Sequence, residues 1–215
     1  MEKFLAIDTS CNYLTVLAAN GGKVFSRFLP DCTMQHSVNL MTEIDGVLEE
    51  AGLLPADCDF FAAVVGAGSF TGIRIGISAA KGFGLAAGKP LLPITSFDVA
   101  AYNAIDGSNS KVLALIDAGH DAYYACGYEG EKVCLAPAYL TEEEVLAVAA
   151  EGYRLVSTAA IAIAEKIDVE VCSPVEGLKR AVMAAKKRDS FGELTALYVR
   201  KSSAEINLEK GEKKL

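Results

Sequence analysis

Residues 3–10 read KFLAIDTS, and residues 111–119 read KVLALIDAG. In each stretch a short apolar run, typical of a buried strand, ends at an aspartate, Asp8 in the first and Asp117 in the second. The two aspartates lie 109 positions apart (117 − 8). The same offset relates further pairs: Gly21 with Gly130, Lys23 with Lys132, and Val24 with Val133. The sequence therefore predicts an internal duplication of a three-stranded meander followed by helix and strand.

This duplication indicates the fold class. Two α/β lobes, each with an aspartate at the end of its first strand, are the pattern of the actin-like (sugar kinase and Hsp70, or ASKHA) architecture. We expect residues 1–106 to form an N-terminal actin-like lobe and residues 111–204 a smaller, reduced C-terminal lobe. Residues 106–110 read DGSNS, a run of turn-forming residues that predicts a hinge. Residues 205–215 are highly charged and predict a frayed tail.

A helix rich in small residues is predicted in the middle of the first half. Residues 60–90 read FFAAVVGAGSFTGIRIGISAAKGFGLAAGKP, which indicates a strand, a glycine loop and a helix over about 71–88. Every fourth position of this helix is small, and we call these positions the ridge: Gly72, Gly76, Ala80 and Gly84. Because glycine in a helix interior costs about 0.5–1 kcal/mol relative to alanine, close approach by another element is expected. That element is either the protein's own sheet or a partner's helix.

The remaining elements follow from periodicity and turn signals. Further strands are predicted at 13–19, 23–29, 91–94, 154–156 and 169–172. Helices are predicted at 34–51, 96–105, 141–150, 159–166 and 174–188. Residues 197–200 are interpreted as either one more strand or an extended return of the chain.

Composition narrows the class of protein. The chain has 215 residues, 22% of them charged, with a net charge of −8. This acidity argues against a nucleic-acid surface carried by the chain alone. No signal peptide and no apolar run of membrane-spanning length is evident in the sequence. The six cysteines are scattered without a CxxC pair, so we expect reduced thiols and a cytoplasmic protein without membrane contact.

Several motifs resemble the bacterial TsaB (YeaZ) family. They are FLAIDTS at 4–10, QHS at 35–37, GAGSFTGIRIG at 66–76, AKG at 80–82 and YVR at 198–200. The resemblance is densest over residues 3–103, and Ala67 stands where the family usually has proline. The family belongs to the actin-like superfamily. Its members act with the homologous TsaD and the ATPase TsaE, which together transfer a threonylcarbamoyl group to N6 of A37 in tRNAs that read ANN codons.

The resemblance implies a non-catalytic scaffold or activator rather than an enzyme. It places the contact with a TsaD-type catalytic subunit on the helices predicted at 34–51 and 71–88, with a weaker homodimer on the same surface when the partner is absent. A TsaE-type ATPase is a further partner, and tRNA is contacted only through the complex. The interface candidates are His36, Leu40, Ser69, Phe70, Thr71, Gly72, Arg74, Gly76, Ala80 and Gly84.

The alternative is a stand-alone enzyme of the same fold, either a small-molecule kinase or ATPase, or a metallopeptidase-like protein. Asp8 and Asp117 occupy positions where kinases of this superfamily hold Mg²⁺ and phosphate, but most of the glycines that wrap phosphate are missing around them. Only His36 and His120 are available as histidine ligands, and Leu40 occupies the position four residues after His36. We therefore predict no cofactor, no metal and degenerate phosphate positions.

Overall fold

The computed structural model describes residues 2–106 and 110–200. These residues form two five-stranded sheets, and each sheet contains one copy of the duplicated stretch. Of the predicted hinge, residues 107–109 lie outside the described residues, as does the whole predicted tail at 205–215. The boundary between the two predicted lobes stays a prediction.

The first sheet has a mixed strand arrangement. Its strands are β1 (Phe4–Asp8), β2 (Leu14–Asn20), β3 (Lys23–Leu29), β4 (Phe60–Val64) and β5 (Leu91–Ile94), in the order β3-β2-β1-β4-β5. β1 pairs antiparallel with β2 and parallel with β4. Every residue of β1 and β4 is buried, as expected for strands covered on both faces.

The second sheet repeats this arrangement. Its strands are β6 (Lys111–Gly119), β7 (Ala122–Glu129), β8 (Lys132–Thr141), β9 (Arg154–Ser157) and β10 (Val169–Val171). When the strands are named from the edge strand β8, the order β8-β7-β6-β9-β10 corresponds strand for strand to the order in the first sheet. As β1 does with its neighbours, β6 pairs antiparallel with β7 and parallel with β9. The predicted duplication is confirmed, and the fold is the actin-like one.

Five α-helices accompany the sheets in the described residues. They are α1 (His36–Ala51), α2 (Phe70–Ala87), α3 (Ser96–Ala101), α4 (Glu142–Ala149) and α5 (Pro174–Lys187). α2 begins at Ser69, whose hydroxyl accepts a hydrogen bond from the Gly72 amide, and ends at Gly88 in the left-handed conformation. α3 is shorter than predicted, and its cap is Thr95, which forms a capping box with Asp98.

The predicted helix at 159–166 is wrong. The structure has only a single 3₁₀ turn there, at Ala162–Glu165. Ile161 and Ile163 are both buried, and this spacing of two does not fit one face of an α-helix. In addition, the Ile163 amide donates to the Tyr123 hydroxyl at 3.0 Å, so this backbone group bonds a side chain rather than a helical carbonyl.

The helices cover the sheets in layers. α1 and α2 pack on one face of the first sheet. α5 packs on the opposite face together with part of α3, although α5 follows the second sheet in sequence. The other side of α3 packs on the second sheet, so this short helix lies between the two sheets. α4 packs on the far face of the second sheet.

After α5 the chain returns along the first sheet. The Gly192 amide donates to the Leu91 carbonyl at 3.0 Å, and the Leu197 amide donates to the Val65 carbonyl at 2.7 Å. Residues 197–200 form no strand, so the extended return is the correct interpretation of this segment. Among the described residues, no helix combines the length and the apolar character that crossing a membrane requires.

Candidate functional site

Asp8, at the end of β1, is completely buried and bonds its own loop. Its Oδ1 accepts hydrogen bonds from the Ser10 amide (2.9 Å) and the Ser10 hydroxyl (2.6 Å), and the Tyr13 hydroxyl donates to Oδ2 at 3.2 Å. Burial raises the pKa of Asp8, and these hydrogen bonds oppose the rise. The carboxylate therefore holds the segment after β1 in place.

The hydrogen-bond network around Asp8 joins the two sheets. The Tyr13 hydroxyl lies 3.0 Å from Oγ1 of Thr158, which directly follows β9 of the second sheet. On the other side, the Ser96 hydroxyl at the start of α3 lies 3.0 Å from the Ser10 hydroxyl. Sequence reasoning missed Tyr13 and Thr158, because no local motif marks two residues that meet across 145 positions.

Asp117 makes the equivalent local contact at the end of the duplicated strand. Its Oδ1 accepts a hydrogen bond from the Gly119 amide at 2.7 Å, two residues on, as Asp8 does from Ser10. The two copies differ in exposure, because Asp117 is exposed and lines the cleft between the sheets, whereas Asp8 is buried behind its own loop.

The cleft between the two sheets has a volume of about 610 Å³. Its walls come from the loops after β1, β6 and β9 and from the starts of α1 and α2, and they are mostly apolar. None of the described residues that line it is a lysine or an arginine, and Asp117 is the carboxylate among them. A phosphate group in this cleft would face a negative charge without a compensating cation.

The glycine loop before α2 packs on the segment after β1. A Cβ at Gly68 would lie 2.2 Å from the Ser10 carbonyl oxygen, and Gly68 has a φ of +140°. The Ser69 amide donates to that same carbonyl at 2.7 Å, and the Thr9 hydroxyl donates to the Gly72 carbonyl at 2.7 Å. The glycines therefore permit close contact between two backbone segments, which accounts for them without a phosphate ligand.

The ridge of α2 faces the protein's own sheet. A Cβ at Gly76 would lie 2.6 Å from the Thr9 hydroxyl, and one at Gly84 would lie 2.6 Å from the Leu91 side chain. All four ridge positions are buried: Gly72, Gly76, Ala80 and Gly84. Their prediction as a partner interface is thus corrected, because the element that approaches the ridge closely is the first sheet.

Two further interface candidates are also internal. His36 is 5% exposed, and its Nε2 donates to the Tyr13 carbonyl at 2.9 Å. Leu40 is 3% exposed and belongs to the apolar core between α1 and the first sheet. These residues fix α1 on the sheet, so their assignment as direct partner contacts is corrected as well.

The candidates at the start of α2 are exposed. The Arg74 guanidinium lies 3.6 Å from the centre of the Phe70 ring, and its Nε donates to the Tyr198 hydroxyl at 2.8 Å. Arg74 therefore contacts aromatic side chains from the start of α2 and from the return segment. Ser69 and Thr71 are exposed beside them, and a role for these four residues at a partner interface stays a prediction.

Three large apolar side chains are exposed on the outer surfaces of α1 and α2. Val38 is 73% exposed, Met41 is 49% exposed, and Leu85 is 87% exposed. α2 contains only two charged residues in its 18 positions, Arg74 and Lys81. We call this surface, formed by Val38 and Met41 of α1 and by Ser78, Gly82 and Leu85 of α2, the outer helix face.

Comparison with known proteins assigns the family. Residues 28–199 match the family model described as "TsaD: tRNA N6-adenosine threonylcarbamoyltransferase". The TsaB protein of Escherichia coli K12 is 31% identical over 131 residues, which are 60% of this chain and 56% of that protein. The TsaB protein of Haemophilus influenzae is 34% identical over 131 residues, 60% of this chain and 55% of that protein. The chain belongs to the TsaB (YeaZ) family.

Solved structures of TsaB relatives have the same fold. YeaZ from Pseudomonas aeruginosa superimposes with a TM-score of 0.77 at 26% identity, over 92% of this chain and 100% of that one. Another P. aeruginosa structure, described as an uncharacterized protein with similarity to peptidase YeaZ, gives a TM-score of 0.80 at 26% identity, over 93% and 100%. The chain spans a little over half the length of the two curated TsaB relatives above.

The structure also brings TsaB motifs together that are distant in sequence. The YVR motif at 198–200 lies against the GSFTGIR segment at the start of α2, because Tyr198 contacts both Phe70 and Arg74. Sequence reasoning identified both motifs but not their contact. Only the return of the chain along β4 and β5 places them side by side.

Proposed function

We propose that this chain is a non-catalytic accessory subunit in the biosynthesis of N6-threonylcarbamoyladenosine at A37 of tRNA, where it binds and activates a TsaD-type catalytic subunit. The relatives from E. coli and H. influenzae are named tRNA threonylcarbamoyladenosine biosynthesis proteins. The observation that carries the proposal is the outer helix face, an apolar surface without a covering element in the described part of the chain.

The outer helix face has the composition of a helix-packing surface. Val38, Met41 and Leu85 provide exposed apolar side chains, and Ser78 and Gly82 are exposed small residues on the same side of α2 as Leu85. A Cβ at Gly82 would meet no atom within 4 Å, so a partner helix has room to approach there. Large apolar side chains exposed on two neighbouring helices favour a role in protein–protein contacts.

The cleft supports the accessory role rather than a kinase or ATPase. The fold would bind a nucleotide between the two sheets, where the lining residues within 2–106 and 110–200 include Asp117 but no lysine or arginine. Asp8 is bonded to Ser10 and Tyr13 and does not line the cleft. Among the described residues, no group of three or more histidine, cysteine, aspartate or glutamate side chains is arranged to hold a metal ion.

The wider assembly follows from the same proposal. A homologous partner presents a similar pair of helices, so two copies of this chain can pack through the same surface when the partner is absent, forming a weaker homodimer. A TsaE-type ATPase completes the system in the cytoplasm. In this scheme the catalytic subunit holds the tRNA.

Reconstitution of tRNA modification tests the proposal. The chain, a TsaD-type subunit and a TsaE-type ATPase are incubated singly and together with tRNA and the threonylcarbamoyl donor, and modified adenosine is quantified by mass spectrometry of nucleosides. We expect no product with the chain alone and a strong increase when it is added to the other two. Product formed by the chain alone would contradict the accessory role.

Asp117→Ala provides the sharper comparison within this assay. Asp117 is the charged group of the cleft, so a cleft that performed phosphoryl chemistry would lose its activity with this change. The accessory role predicts that the variant stimulates the catalytic subunit as well as the unchanged chain does. Loss of stimulation by a variant that melts normally would favour the enzyme alternative.

A further inference from the structure

A second concave surface lies beside the start of α2, separate from the outer helix face. It is a groove of about 490 Å³ between the loop before α2, the end of β6 and the return segment at 197–200. Phe70, Tyr124 and Tyr198 contribute aromatic rings to it, and His120 and Arg200 contribute cationic or ionisable groups. None of its described lining residues carries a carboxylate, although the protein has a net charge of −8.

Two arginines stacked on aromatic rings belong to this region: Arg200 lines the groove, and Arg74 contacts its lining residues Phe70 and Tyr198. The Arg74 guanidinium lies 3.6 Å from the Phe70 ring centre, and Phe70 lies 5.0 Å from the Tyr198 ring. The Arg200 guanidinium lies 4.9 Å from the Tyr139 ring centre. Tyr139 in turn lies 5.9 Å from the ring of Tyr124 in the groove. The rings hold both guanidinium groups in place at the groove.

These two arginines differ from others in the chain in their pairing. Arg27, Arg154 and Arg188 each form an ion pair with a glutamate. Within residues 2–106 and 110–200, neither Arg74 nor Arg200 forms an ion pair. Among the described residues, no ion pair neutralises their positive charge, which would attract an anion that enters the groove.

We infer that this groove binds a nucleotide of a single-stranded RNA segment. Single-stranded nucleic acids are recognised by aromatic rings that stack on bases and by arginines that contact phosphates, and the groove combines both. Arg200 is placed to contact the phosphate, and the exposed Phe70 and Tyr198 rings offer stacking surfaces for the base. The inference goes beyond the accessory role, in which RNA is contacted only through the partner.

Fluorescence anisotropy with a short fluorescein-labelled single-stranded oligoribonucleotide tests this inference on the full chain. We expect saturable binding at low salt, weakened about tenfold or more by Arg200→Ala and by Phe70→Ala. Arg154→Ala is the matched control, because it removes the same charge from an exposed ion pair elsewhere on the second sheet, and binding should change less than twofold. Thermal melting establishes that each variant is folded.

The salt dependence separates phosphate contact from a structural effect. If Arg200 contacts a phosphate, Arg200→Ala lowers the slope of log K against log salt by about one unit, and a merely structural role leaves the slope unchanged. The inference is overturned if the oligoribonucleotide does not bind, or if either groove variant stays within twofold of the unchanged chain. It is also overturned if AMP or polyglutamate binds as tightly, because the groove would then take a free nucleotide or an acidic peptide. Partner binding is measured separately, so this failure is distinguishable from failure of the accessory role.

Discussion

Asp8 holds the segment after β1 through the Ser10 amide, the Ser10 hydroxyl and the Tyr13 hydroxyl. At the same position kinases of this superfamily use the carboxylate for Mg²⁺ and phosphate. In this chain the side chain is buried, and its bonds are internal. A residue type that indicates catalysis in the sequence thus has a structural role, because its neighbours Ser10 and Tyr13 provide hydrogen-bond donors and the loop closes over it.

Two substitutions at Asp8 distinguish structure from chemistry. Asp8→Ala removes the acceptor for both Ser10 donors, and an unsatisfied buried polar group costs about 1–3 kcal/mol. We therefore expect Asp8→Ala to lower the free energy of unfolding by that amount in urea denaturation at neutral pH. Asp8→Asn keeps an acceptor oxygen of the same shape and should be much less destabilising. Equal stability of the alanine variant and the unchanged chain would contradict this role.

The pH dependence of stability follows from the raised pKa of Asp8. Because the pKa of the Asp8 carboxyl lies above its ordinary value of 3.8 in the folded state, the part of its contribution to stability that is linked to protonation is fully present below pH 3.8 and is lost as the pH rises through the folded pKa. The stability of the unchanged chain relative to Asp8→Asn should therefore decrease as the pH rises above 3.8. Urea titrations of both proteins at several pH values measure this difference, and a difference that increases with pH would be inconsistent with the buried carboxyl.

At the scale of elements, α2 has two sides with opposite tolerance to substitution. Gly76→Leu places a side chain against the buried Thr9, whose hydroxyl is bonded to the Gly72 carbonyl, so we expect a loss of about 1–3 kcal/mol or more in unfolding free energy. Gly82→Ala adds a methyl group in open space and should stabilise the helix by about 0.5–1 kcal/mol. Chemical denaturation of both variants and of the unchanged chain measures these differences in unfolding free energy. A Gly76→Leu variant as stable as the unchanged chain would contradict the inward ridge.

Much of the fold was predictable from the sequence, because local signals and tertiary structure agree. The repeated strand and aspartate indicated both meanders, and the helices predicted at 34–51 and at about 71–88 are present as α1 and α2, with ends within two residues of those bounds. The direction of the ridge was not predictable, since glycine spacing indicates close approach without identifying the approaching element. The helix predicted at 159–166 failed because Tyr123, from another strand, bonds the Ile163 amide.

The candidate site was less predictable than the fold. Its parts come from segments that only the duplicated topology brings together, such as Tyr13 with Thr158 and Arg74 with Tyr198. No local pattern marks either pair. The motifs at 66–76 and 198–200 indicated importance, but the contact between them depends on the return of the chain after α5.

At the scale of the whole molecule, the same duplication has two consequences. It produces a cleft whose described lining residues include no lysine or arginine, and it leaves α1 and α2 as the layer on one face of the first sheet. The first consequence disfavours phosphate chemistry, and the second exposes the surface that we propose for a homologous partner. The groove at Arg200 lies at the start of α2 and is not lined by Val38, Met41 or Leu85, so the proposed RNA segment does not require the residues of the outer helix face.

Binding of a TsaD-type catalytic subunit to the Val38→Asp variant tests the central claim most directly. Val38 is 73% exposed on the outer helix face, so the substitution leaves the core intact and places a charge in the proposed contact. Val133→Asp is the matched control, an exposed valine on the second sheet. In isothermal titration calorimetry we expect Val38→Asp to weaken binding at least tenfold and Val133→Asp to bind normally. Normal binding by a folded Val38→Asp variant would contradict the assignment of the outer helix face as the partner surface.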